Sequence, residues 1–182
     1  AWRTRVGKRM PAALGRWEWG PTAVGRHLTG HAVWAGWAVR ELRKMAGPKQ
    51  GADMVLSTSS DGWAAGTPLS VLTDARNALL AIAMNGQPLP FEHGFPVRMI
   101  VPGLYGYVSA TKWITDMELT TFDAQRAYWL QRGWAQRAPI KTMSRIDSPG
   151  AAGRVRPDTP ITGIAWAQTK GIEKVEVRVD HG

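Results

Sequence analysis

Two hydrophobic periods organise this chain. At residues 172–180, Val175, Val177 and Val179 alternate with Glu176, Arg178 and Asp180, the period-two signature of a strand with one buried face. Residues 161–168 precede it across Thr169-Lys170-Gly171, so the spacing predicts a hairpin. Further strands are predicted at 53–57, at 97–101, stopped by Pro102-Gly103, and at 113–120. The apolar run 78–84 fits helix or strand by period alone. Asn85-Gly86 decides for a buried strand, because that pair favours a two-residue hairpin turn and Gln87-Pro88-Leu89-Pro90 cannot continue a helix. Helical order at 39–45 is closed by Ala46-Gly47-Pro48, with Gly at the C-terminal cap and Pro beyond. A second helix is predicted at 122–131, with Phe122, Ala127, Trp129 and Leu130 inward. Residues 57–66 read as a loop, and Thr67-Pro68 as the start of a helical turn with Thr as its cap. Up to about Thr29 no period is visible. The resulting class is α+β, with strands and helices mixed through the chain.

Composition narrows the picture. A chain of 182 residues with 44% hydrophobic and 20% charged residues buries a core. No apolar run approaches the roughly 18 residues of a membrane-spanning helix. The start at Ala1, without a charged-then-apolar leader, predicts a removed leader or a missing N-terminus. With no cysteine, disulfides, thiolate metal sites and Cys nucleophiles are excluded. The net charge of +9 is local: residues 1–50 carry ten Lys/Arg against two acids, and the rest thirteen against twelve. That basic, Trp-bearing first segment has the chemistry to stack bases and neutralise phosphates, but its cations follow no period, so nucleic-acid binding is the minority reading. Ser148 to Pro160, with three Pro and two Gly, reads as a linker or long loop. A lone hairpin is marginal in water, so 138–182 reads as the opening of a β domain and the chain as a fragment.

Chemistry concentrates between 84 and 113. His93 and Arg98 bracket a turn and Lys112 follows a Gly-containing loop, so three donors can converge on one anion: Arg as a planar fork, Lys as a point charge. The alternative pairs Arg98 with Glu92 or Asp116 on the surface and leaves His93 to close a turn. His27 and His31 lie four apart, but Gly30 between them and the lack of a third ligand argue against a metal site. His181 is expected in solvent. Trp113, Trp129, Trp134 and Trp166 read as core or interface aromatics. Ser57, Ser59 and Ser60 have no base that spacing would assign.

The stretch M-N-G-Q-P-L-P-x-x-H-G-x-P-V-R-x-x-V-P-G from Met84, followed by K-W at Lys112 and Trp113, resembles the molybdopterin-binding domain of the sulfite oxidase family of molybdenum oxidoreductases. The resemblance takes in Ala32-Val33-Trp34-Ala35-Gly36, Arg40, Leu42 and Ala46-Gly47 upstream. Downstream, Gly163-Ile164-Ala165-Trp166-Ala167 and Val175-Glu176-Val177-Arg178-Val179 resemble the opening strands of that family's immunoglobulin-like dimerisation domain. It implies a basic segment at 1–28 left unassigned, a partial cofactor domain at 29–137 and a truncated β-sandwich at 138–182.

The resemblance also implies a molybdenum-molybdopterin cofactor and oxygen-atom or two-electron transfer on a small-molecule substrate. His93, Arg98 and Lys112 match the residues holding the cofactor's polar end, with Ser109 and Thr111 as neighbouring contacts. Asp61 matches the pterin-contacting Asp, or else closes an Asx turn before Gly62; the two readings stand even. A homodimer through the C-terminal domain, an unnamed electron partner, and export or membrane tethering are family expectations. Two departures stand out. The family's metal-binding Cys would fall near Trp19, and no Cys is present. Its active-site Tyr is expected where Gly133-Trp134 stands. A non-catalytic pterin-binding or scaffold relative is therefore the main alternative.

Overall fold

β-Branched and aliphatic residues at alternate positions build the centre of the molecule. In the computed structural model, residues 13–18, 31–46, 51–150, 155–168 and 170–178 are described. Strands β1 (Ala13–Glu18), β2 (His31–Ala38) and β5 (Leu79–Met84) run antiparallel side by side, and β5 carries β6 (Gln87–Pro88) and β7 (Arg98–Ile100) along its other edge. A second sheet has β3 (Met54–Ser59) between β4 (Ala64–Pro68) and β8 (Ile114–Thr120), also antiparallel. A separate two-stranded sheet pairs β9 (Met143–Ser148) with β10 (Thr162–Trp166). Helices are short: α1 (Val39–Ala46) follows β2 directly, and α2 (Leu69–Thr73) follows β4.

The period-two faces of the first sheet explain the two cores. On β5 and β7, Leu79 pairs with Ile100, Leu80 with Met99 and Ala81 with Arg98. Leu79, Ala81 and Ile100 pack with Trp34 and Leu89 on one face. Met99 packs on the other, with Val39, Val55, Leu72, Val101, Leu104 and Val108, and so joins the two sheets. Arg98, two residues before Ile100, therefore shares the Trp34 face while remaining buried.

The strands expected at 53–57, 78–84, 97–101 and 113–120 and the helix at 39–45 are found, shifted by a residue or two. The Asn85-Gly86 turn forms as expected, with φ of 53° and 79°, joining β5 to β6. Four expectations are corrected. The loop at 57–66 shrinks to a tight hairpin, because β3 runs on to Ser59 and β4 resumes at Ala64. Thr67 does not cap α2: it lies in β4, and its hydroxyl donates to the Val108 carbonyl at 2.6 Å, a buried bond that outcompetes a surface cap. The helix at 122–131 is replaced by turns and one 3-10 turn, Leu130–Arg132. Finally, β10 pairs back with β9, inside the segment expected to lead into a linker, and 172–178 form no strand, with Val175 and Val177 exposed. Alternation gives a strand only where a sheet edge receives it. The unassigned first segment contributes one described strand, β1, along β2. His27 and His181 lie outside the described residues, and His31 is described through its strand backbone alone.

Candidate functional site

Pro90 and Gly94 frame the centre of the site. Pro90 enters a 3-10 turn, Phe91–His93, that ends at Gly94 with φ 110°, a conformation costly for a residue with a side chain. A Cβ at Gly94 would lie 3.0 Å from the Cβ atoms of both Arg98 and Lys112. The missing side chain is what lets β7 and the segment before β8 close on the turn.

Three successive carbonyls of that turn each receive a different donor. The Trp113 indole N–H donates to Phe91 O at 2.8 Å, the Lys112 ammonium to Glu92 O at 3.0 Å, and the Arg98 guanidinium to His93 O at 3.0 Å. Lys112 also lies over the Trp113 ring, its Nζ 4.2 Å from the centroid, and the Arg98 guanidinium carbon is 5.1 Å from the Trp34 ring centroid. The turn thus gathers two cations and the exposed His93 within one loop. Burial pulls Arg98 down to about 10, which leaves it a cation at neutral pH. Arg98 and Lys112 thus both reach the backbone of the turn that carries His93, Arg98 through the His93 carbonyl and Lys112 through the Glu92 carbonyl.

Asp61 is exposed at the tip of the β3–β4 hairpin, where it accepts the Trp63 N–H at 3.0 Å, an Asx-type turn. That backbone bond, a side-chain bond from Ser59 and the charge of Lys112 hold its carboxyl below the usual range. The tip is fastened to the K-W segment, since Ser60 N–H donates to the Trp113 carbonyl at 2.9 Å. Ser109 and Thr111 face inward. Ser109 donates to the carbonyls of Tyr105 and Leu104, and Thr111 shares a 2.7 Å hydrogen bond with Ser57, all three residues fully buried. Their hydroxyls brace the loop that carries Lys112 rather than reach its surface. Among the aromatics, Trp166 is core as expected, whereas Trp134 is about half exposed and stacks against Trp129 and Tyr107.

Spacing did not reveal three residues that shape this site. Trp34 lies beneath Arg98, Trp113 fastens both loops, and Ser57 pairs with Thr111. A readable signal existed for two of them, because Trp34 and Trp113 fall within the motif-bearing stretches.

The chain matches the oxidoreductase molybdopterin binding domain over residues 8–129. It is 36% identical over 105 residues to the uncharacterized oxidoreductase YuiH of Bacillus subtilis, covering 58% of this chain and 52% of that protein. It is 27% identical over 198 residues to the mitochondrial sulfite oxidase of Drosophila melanogaster, covering 91% of this chain and 33% of that protein. Its fold resembles the sulfane dehydrogenase SoxCD from Paracoccus pantotrophus, with a TM-score of 0.60 at 20% identity, over 87% of this chain and 47% of that one. The chain thus spans about half or less of the length of these relatives. With the match extending over more than half its residues, the chain belongs to the oxidoreductase molybdopterin binding domain family.

Proposed function

We propose that this chain is the cofactor-holding part of a molybdopterin-dependent oxidoreductase that moves an oxygen atom or two electrons to or from a small substrate. One observation carries the reading: Arg98 from β7 and Lys112 from the loop before β8 meet on a single turn closed by Gly94, beside the exposed His93. The family's cofactor, molybdenum-molybdopterin, carries an anionic end, and this donor set fits it. Arg98 supplies a buried guanidinium, Lys112 a point charge and His93 a ring at the surface, while Asp61, ionised at neutral pH, accepts from pterin N–H groups. Ser109 and Thr111 hold the Lys112 loop to the core. When bound, the cofactor supplies the redox chemistry, and the protein contributes binding, orientation and electrostatics.

The metal end fits less well, because the sequence has no cysteine to give a soft thiolate. This favours a second reading, a relative that binds the pterin without turnover. We further propose that β9 and β10 open a second, immunoglobulin-like domain through which two copies pair. Substrate, electron partner and an exported or membrane-tethered location remain family expectations; among the described residues no helix is long and apolar enough to cross a membrane.

The test is the molybdenum and pterin content of the purified chain, with Arg98→Ala as control. Both present, and both lost in the control, supports the enzyme; pterin alone supports the non-catalytic relative. Neither in the wild type sinks both readings.

A further inference from the structure

Trp113 has φ 49°, a left-handed backbone that a bulky side chain adopts only when its surroundings hold it there. Its surroundings do so from two sides. Its carbonyl accepts the Ser60 N–H from the hairpin that carries Asp61, and its indole N–H donates to Phe91 O in the turn that carries His93. Its ring lies 5.6 Å from the Phe91 ring and beneath the Lys112 ammonium. One strained residue therefore ties together the two loops that flank the cations.

The three bonds on the Phe91–His93 carbonyls differ in kind. Those from Lys112 and Arg98 come from cations, and an anion arriving at the site competes with the Glu92 and His93 carbonyls for them. The bond from Trp113 comes from a neutral indole that a phosphate does not attract by charge. We propose that Trp113 is a positioning residue: its indole N–H keeps the Phe91–His93 turn in place when Arg98 and Lys112 turn to an anionic ligand. This rests on the reading of that turn as the cofactor's anion site.

Trp113→Phe tests it, because an aromatic ring, smaller than the indole, stays and the N–H donor goes. In the full-length variant the melting temperature is expected to fall by no more than about 4 °C, the scale of one lost hydrogen bond. Pterin co-purifying with the chain is expected to fall at least about fivefold, a loss that a purely structural role at unchanged stability does not produce. Hydrogen exchange gives a readout independent of loading. With inorganic phosphate added, the amides of His93, Gly94 and Phe95 in the variant should exchange about tenfold faster, while those of wild type and the 79–84 strand do not change. Wild-type pterin content together with wild-type exchange in the variant overturns the proposal, as does acceleration by phosphate in the wild type itself. If the wild type carries no pterin and Arg98→Ala makes no difference, the cofactor reading fails by itself, and the exchange comparison still decides the role of Trp113.

Discussion

Ser57 and Thr111 share a hydrogen bond between two hydroxyls fully shielded from solvent, 54 residues apart in sequence. Thr111→Val removes one partner while keeping the shape, and Ser57 retains only its longer bond to Ala65 O at 3.3 Å. The expected cost is about 1–3 kcal/mol, measured as a shift of the urea midpoint at constant m. Adding Ser57→Ala should cost less than the sum of the two single changes, because the second deletion removes the group the first left unsatisfied. Asp61 gives the pH expectation. Its folded carboxyl is held below its ordinary value of 3.8, so it stabilises the hairpin tip above that value and loses this contribution as pH falls through the lower folded value. Asp61→Asn keeps an acceptor for the Trp63 N–H but loses the titration, so acid-induced change in the Trp63 amide resonance should vanish in the variant. At this scale the motif residues were legible as types, and so was the nearness of Arg98 and Lys112 to the turn that carries His93. Which hydroxyls face inward was not, because Ser109 and Thr111 alternate with Ala110 in a loop without period.

Elements set by turn chemistry are the ones the sequence announced. Asn85-Gly86 forces a reversal because both residues take positive φ, and the apolar run before it then has only the strand open to it. Gly94 makes a sharper demand, since its φ of 110° and its contacts with Arg98 and Lys112 both exclude a side chain. Gly94→Ala is expected to cost more than about 1 kcal/mol in thermal unfolding and to lower pterin retention by separating β7 from the Lys112 loop. The absent helix at 122–131 shows where such announcement fails. Its first turn forms, with the Ala124 N–H on Thr121 Oγ1 and the Gln125 N–H on Thr121 O. A ten-residue helix is marginal unless its apolar face packs, and here Phe122 and Ala127 are buried from turns instead. Trp129 instead packs on Tyr128 and Trp134, and Trp134 on Tyr107. That contact joins residues 27 apart in sequence, and no local pattern records it.

Across the whole molecule, stability is concentrated where Met99 of the first sheet packs with Val55 of the second and Val39 of α1, and neither core cluster includes a residue of β9 or β10. The β9–β10 sheet has two strands with a register shift at Thr162–Gly163, and it exposes Ile146. Beyond β10, Ile172, Val175 and Val177 are exposed too. A two-stranded ribbon that buries Trp166 but belongs to neither core cluster holds its hydrogen bonds weakly, so it should open without the rest of the molecule unfolding. Native-state hydrogen exchange is expected to show the amides of β9 and β10 exchanging at least about a hundredfold faster than those of β3 and β5, with a much smaller dependence on urea. If β9 and β10 are instead protected to the same free energy as β5, with the same urea slope, the ribbon is part of the cofactor domain's cooperative unit. The boundary expected near residue 138 then has no energetic meaning. If they exchange quickly, and their protection rises with protein concentration while that of β5 stays fixed, the exposed valines are being covered by a second copy, as the proposed pairing domain requires.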